Sequence, residues 1–196
     1  MATTNAIAAV GLAIRGVLVN AAGGVFPDAR FELFQATDFH KAQDGIGISI
    51  FLYRVAANLT RRNLPPHVGL DGRRFRPPLP LDLFYLLMPW AASVDTQYRL
   101  LGWAMRVLED TPILPSALLN ALDSGTSTFR SDEAVELVFD PLSFQDLTAL
   151  WEVMEPKLQP VATYVARRID IASDVELVDG ALVQTRTFDY GPGPQP

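Results

Sequence analysis

The sequence predicts an α+β fold: a single domain whose mixed, mainly antiparallel sheet of four to five strands is flanked by helices, with a C-terminal β-hairpin beyond it. Three observations carry this expectation. Apolar residues alternate over 46–57, 79–88, 135–139 and 161–171, the period of a strand. They recur at helical spacing over 4–20, 97–108 and 147–154. Beyond residue 173, Asp179-Gly180 separates two apolar runs, Val175–Val178 and Ala181–Thr185, a two-residue hairpin pattern.

The 196 residues suffice for one domain that buries ~70% of its unfolded surface. Hydrophobic residues make up 49% and charged residues 19%, a globular composition with few charges. Apolar surface left over in such a chain is accommodated by a subunit interface or by ordinary scatter. There are no cysteines, which removes disulfides, thiolate metal sites and a cysteine nucleophile, and fits the cytosol. The start lacks a basic region, and Gly11, Arg15 and Gly16 interrupt its apolar residues, so neither a signal peptide nor a membrane span is expected. A net charge of −6 argues against the whole chain binding nucleic acid. The cations are almost all arginine, a residue suited to forked contacts at interfaces and equally a product of GC-rich coding.

Residues 4–20 read as the first helix, with Thr4 or Asn5 as cap and Ile7, Val10, Ile14, Val17 and Leu18 on one face. Its remaining positions are mostly alanine and glycine, so another element can approach closely. Residues 25–39 suggest a short strand. In 46–57, Ile46, Ile48, Ile50 and Leu52 oppose Gly47, Ser49, Phe51 and Tyr53, and both faces are apolar enough for an interior strand. Residues 61–76 form a proline-flanked loop holding Arg61, Arg62, Arg73, Arg74 and Arg76 against one acid, Asp71. Its prolines disfavour a regular ladder. A loop this long is a basic arm for an acidic partner or a solvated connection, with a nucleic-acid contact disfavoured by the global charge and by Phe75 being its one stacking aromatic.

Residues 79–88 read as the central strand, ended by Pro89. Asp82 is its one charge, either buried against an arginine of the basic loop or exposed at the strand's start. Ser93 or Asp95 caps the next helix, which ends before Pro112; Trp103 falls off its inward stripe and is either a candidate contact residue or buried by a helix packed on two sides. Residues 115–122 form a short helical piece and 123–128 a flexible surface loop. After the strand at 135–139, Ser143-Phe144-Gln145-Asp146 resembles a capping box, and the helix it opens stops at Pro156. The strand at 161–171 follows. A lone hairpin is marginal in water, so residues 174–190 either fold back on the domain or add strands to a neighbour. Residues 191–196 read as a disordered tail. The division expected is therefore 1–173, 174–190 and 191–196.

No catalytic set emerges. His40 and His67 are the only histidines and neither has acidic residues at ligand spacing, so neither a metal nor another cofactor is expected. A phosphate-binding loop, a dinucleotide fingerprint and a nucleophile elbow are all lacking.

Four stretches point to a known family. They are Thr4–Val10 with Leu12; Leu52-Tyr53-Arg54-Val55 with Asn58 and Arg62-Asn63; Pro77–Leu87; and Leu100–Gly102 with Ala104–Leu108. In order and spacing they resemble the tail-terminator, or cap, family of phage-tail-like contractile injection systems, over roughly residues 3–172. The chain departs from that family in having Gln97 and Tyr98 where a histidine is frequent, and in lacking the further C-terminal domain of many members. The resemblance implies a tail-terminator-like fold and a non-enzymatic structural cap: a hexameric ring at the end of the tail distal to the baseplate, ending growth of inner tube and sheath. Its implied partners are further copies of itself, the sheath protein, the inner tube protein and, if it is an accessory cap, a second cap paralogue, with no nucleic acid. It implies synthesis in the cytoplasm and residence in the particle. Candidate contacts are Arg61, Arg62, Arg73, Arg74, Arg76, Trp103, Leu177, Leu182 and Val183. The competing readings are an adaptor or baseplate-associated module of the same kind of particle and an unrelated small enzyme.

Overall fold

A computed structural model describes residues 1–69, 71–121, 127–154 and 159–177. The first helix, α1 (Ala6–Ala22), begins at Asn5, but no side chain caps it. Small residues dominate its inward side: Ala6, Ala9, Gly11 and Ala13 are buried beside Val10, Ile14 and Leu18, so the helix lies close to the sheet.

Six strands form the main sheet: β1 (Arg30–Phe34), β2 (Gly47–Ala57), β5 (Leu79–Trp90), β6 (Ile113–Pro115), β7 (Ala134–Phe139) and β8 (Ala162–Ile171), in the order β1-β2-β5-β8-β7-β6. Only β1 and β2 are parallel; the other neighbours are antiparallel. The expected fold class holds, with one strand more. β6 is three residues long, too short for a period to register. A separate ribbon of β3 (His67–Val68) and β4 (Arg74–Phe75) stands in the basic loop.

β5 is the central strand, as expected, but it does not stop at Pro89. Pro89 pairs with Ile48, and Trp90 with Gly47. The ladder to β8 has already ended at Leu87 opposite Ala162, which leaves a side on which the missing proline N–H costs nothing. Nearer the start of β5, Arg167 and Arg168 of β8 together oppose Asp82, and Arg168 has φ 69°. This is a β-bulge, which turns the strand locally.

One face of the sheet holds the main core. Leu81, Leu83, Tyr85 and Leu87 of β5 meet α1 and the inward stripe of α2 (Val94–Glu109), which is Leu100, Leu101, Ala104 and Leu108. Ser93 starts α2 by accepting the Thr96 N–H at 3.2 Å. A short helix, α3 (Ser116–Asn120), adds Leu119. On the opposite face Leu86, Met88, Trp90 and Val165 are buried outside that cluster. An aromatic chain runs there, with ring centroids 5.7 Å apart from Trp90 to Phe34, 5.4 Å from Phe34 to Phe39 and 5.0 Å from Phe39 to Phe51. Helix α4 (Phe144–Met154) opens on the expected cap: Ser143 Oγ accepts the Asp146 N–H at 3.1 Å and donates to Asp146 Oδ2 at 2.6 Å.

The loop expected at 123–128 lies mostly outside the described residues. Its end is not on the surface: Thr128 is 1% exposed, and its carbonyl accepts the Thr3 N–H at 2.9 Å.

Two consequences are measurable. A Cβ on Gly47 would lie 2.2 Å from Trp90 Cζ2 and 2.4 Å from the Arg30 carbonyl oxygen, and neither the ladder nor the aromatic chain can yield. Gly47→Ala is expected to cost about 2–3 kcal/mol, read as a lowered urea midpoint. Burial raises the hydroxyl pKa of Tyr85, and pushes that of Tyr164 up to about 12. Both are neutral when folded and ionise near 10 when unfolded, so the stability they contribute is present below pH 10 and falls above it, that of Tyr164 being lost as pH rises through about 12. Tyr164→Phe should flatten that alkaline loss, and the tyrosinate absorbance of the native protein should titrate late.

Candidate docking arm and strand edges

The basic loop leaves the sheet at the end of β2. Asn58 organises the exit: its Oδ1 accepts the Thr60 N–H at 3.2 Å and its amide donates to Asp82 Oδ1 at 3.0 Å. The half-buried Asp82 is therefore satisfied by an amide rather than by an arginine. Arg61 goes to Asp170 instead, Nη2 to Oδ2 at 2.8 Å, with both side chains partly buried. The other oxygen, Asp170 Oδ1, is buried without a hydrogen bond among the described residues.

Beyond Arg61 the loop forms an arm, whose His67, Val68 and Gly69 line a pocket with Met1, Arg130 and Ala172. The ladder that its prolines disfavoured does form, over two residues: His67 opposes Phe75 and Val68 opposes Arg74. The His67 and Phe75 rings stack at 4.9 Å. At the tip, Gly69 donates to the Arg73 carbonyl at 2.8 Å, and Gly72 has φ +79°, a conformation that favours glycine. A third strand joins: Arg76 N–H donates to the Val175 carbonyl at 2.9 Å and Leu177 N–H to the Arg74 carbonyl at 2.8 Å. The C-terminal segment thus begins by pairing with the arm of its own copy. The rest of the hairpin expected at 174–190, including Leu182 and Val183, lies outside the described residues, as does the tail 191–196.

The predicted contact residues separate by role. Arg73 pairs with Asp71 at 2.5 Å and with Glu176 at 3.5 Å, tying the tip to the third strand. Its hydrogen bond holds the Asp71 carboxyl below the usual range. Arg74 lies in β4. Arg62 and Arg76 are exposed, and neither side chain has an ion-pair partner among the described residues. Trp103 is half-buried, with ring centroids 5.5 Å from Phe26 and 5.9 Å from Phe31, so most of it is core. Leu177 is half-buried on the arm.

Sequence reasoning missed a second feature. β1 pairs only with Gly47–Phe51 of the longer β2, so the outer edge of residues 52–57 faces no strand among the described residues. Val55 there is 46% exposed, and Leu59 just beyond is 74% exposed. The clue in the sequence was the unequal length of the two apolar runs. Beside this edge a groove of about 360 Å³ opens between Ile7, Ala8 and Gly11 of α1 and Leu33, Phe34 and Leu52 of the sheet. No group of three or more potential metal ligands occurs among the described residues, and no helix among them is long and apolar enough to cross a membrane.

A family model, the Pvc16 N-terminal domain, matches residues 10–185. The chain belongs to this family. No curated protein matches it in sequence. Two solved structures share the fold of this Pvc16 N-terminal domain. One is the sheath/tube terminator of an extracellular contractile injection system, PVC, in its extended state, with TM-score 0.58 and 17% identity over 100% of this chain and 65% of that one. The other is the tube-terminating cap of the anti-feeding prophage, with TM-score 0.56 and 15% identity over 93% of this chain and 59% of that one. The chain therefore spans less than two thirds of each. The family resemblance read from the sequence, to tail terminators of contractile injection systems, is borne out.

The Arg61–Asp170 pair anchors the arm, which sets the expected outcome of a substitution. Arg61→Ala leaves a largely buried carboxylate with no side-chain partner among the described residues and should cost about 1–3 kcal/mol, while Arg62→Ala, on the exposed side, should stay within about 0.5 kcal/mol. Urea unfolding of the two variants beside the parent compares them directly.

Proposed function

We propose that the chain is a terminating cap of a contractile injection particle. Six copies close into a ring on the end of the inner tube and sheath distal to the baseplate, and the ring stops both from growing. The observation that carries this reading is the fold shared over the full length of the chain with a sheath/tube terminator, supported by membership of the Pvc16 N-terminal domain family. The role is structural rather than catalytic.

The physics of a cap supports the choice. Head-to-tail contacts between identical subunits either run on as a filament or close into a ring. A closed ring can match the last layer of a tube on one side without offering that layer's surface on the other. Residues 1–173 are then the ring-forming body, 174–190 a connecting arm and 191–196 its tail. Among the arm's cations, Arg62 and Arg76 are offered to acidic surfaces of sheath or tube. Arg61 and Arg73 hold the arm in shape, and Arg74, Trp103, Leu177, Leu182 and Val183 complete the contact set. As an accessory cap the ring would also meet a second cap paralogue. The protein is made in the cytoplasm and becomes part of the particle.

Light scattering after size exclusion tests the ring: six copies of the 21.5 kDa chain give about 129 kDa, with a ring expected in negative stain. In particles, gold-labelled chain should mark the end distal to the baseplate, and deletion of residues 61–76 or 174–190 should abolish capped tails of uniform length. Label at the baseplate end would make the chain an adaptor, and capped tails of normal length from either deletion would remove the arm from the mechanism.

A further inference from the structure

The free edge of β2 and the groove beside it form one surface. The edge begins where β1 ends, and the groove is lined by Leu33 and Phe34 at that end and by Leu52 at the start of the edge. A strand laid in line with β1 would find backbone groups along 52–57 that face no strand among the described residues, and every second side chain would drop between α1 and the sheet. An open edge over an apolar groove accepts added strands, and left bare it promotes uncontrolled association.

The chain itself supplies a fitting occupant. Nineteen residues, 178–196, follow Leu177, enough to reach roughly 60 Å if extended. Within them Ala181-Leu182-Val183-Gln184-Thr185 is a β-forming run, with Asp179 before it and Arg186 and Asp189 after it, a net negative flank. The β2 edge carries the complementary charge: Arg54 is exposed, its guanidinium 4.8 Å from the Phe84 ring, and Arg62 follows shortly after the strand. Direction matters as well. Residues 175–177 run antiparallel to β4, so at Leu177 the chain heads for the arm's tip and away from the junction of β4 with β5.

We infer that residues 181–185 of one copy add as a strand to the open edge of β2, residues 52–57, in a second copy. The inference rests on the ring reading for the neighbour's presence, and it names the contact that links one subunit to the next. Backbone pairing supplies the affinity, and the groove selects the side chains of the incoming strand.

The absence of cysteine gives a clean background for the test. Full-length Val55→Cys protein is mixed in turn with Ala181→Cys, Leu182→Cys and Val183→Cys proteins and oxidised. At least one mixture should give disulfide-linked dimers several-fold above a control with Val25→Cys, exposed on a different part of the chain, in place of Val55→Cys. Chains carrying both cysteines should then give a ladder of linked multimers. Internally linked monomers alone would place the strand on its own copy and overturn the inference, as would no cross-link at any of the three positions. Light scattering on the same samples separates the two readings. A 129 kDa ring without cross-links overturns strand exchange and leaves the ring standing, whereas a monomer without cross-links overturns both for the free protein.

Discussion

β5 is buried on both sides, and the positions of the other elements follow from that burial. Leu83, Tyr85 and Leu87 need an apolar layer on one face, while Leu86, Met88 and Trp90 need one on the other. α1 and α2 cover the first face, and their small residues allow close approach. On the second face an aromatic chain starts at Trp90 itself and runs through Phe34 to Phe39 and Phe51. A strand buried in this way cannot lie at an edge, so β2 and β8 must flank it along most of its length. Gly47 is the point at which the two demands meet: the Trp90 ring lies flush on β2 only because no side chain stands there.

The same constraint fixes where the arm leaves. β5 and β2 diverge at the end where the strand carries a charge, and each of the two carboxylates there has one partner. Asp82 takes the Asn58 amide, and Asp170 takes Arg61. These contacts fix the base of an excursion that holds only a two-residue ladder of its own. The third strand from 175–177 and the Arg73 contacts to Asp71 and Glu176 stiffen it further. An arm held at base and tip loses less conformational entropy when it docks than a loop free at both.

Much of the fold was readable because the strong periods are long. β2, β5, β8, α1 and α2 each carry at least ten residues of one pattern, and burial on a defined face enforces that pattern. What escaped was set by tertiary context. β6 is three residues supported by β7. Pro89 stays in its strand because the ladder on one side has already ended. Asp82 is met by an amide rather than an arginine because the turn at Asn58 places that side chain beside it. Among the candidate contacts, the arginine cluster falls on the loop that carries β3 and β4, but the sequence could not rank its members, since the pairing of Arg61 with Asp170 and of Arg73 with Glu176 depends on residues far away in sequence. The open edge of β2 is a difference between two strand lengths, a relation that no single segment contains.

That difference also bears on how a subunit of this kind would hold its neighbours. Taken from the sequence, the arm is a block of five cations in an acidic protein, which suggests adhesion by charge. In the folded chain Arg61 and Arg73 are already neutralised, which leaves Arg62 and Arg76 as the arm's outward cations with no ion pair among the described residues. Two exposed charges, screened within about 10 Å at moderate salt, contribute little lasting affinity. Exposed backbone edges and apolar surface are not screened in that way. If the subunits must stay joined in a particle exposed to changing salt, the durable contacts are strand pairing and groove filling, and the arginines serve to orient the approach. The distribution of charge in the folded arm thus argues for the sheet edge, rather than the basic cluster, as the main source of cohesion.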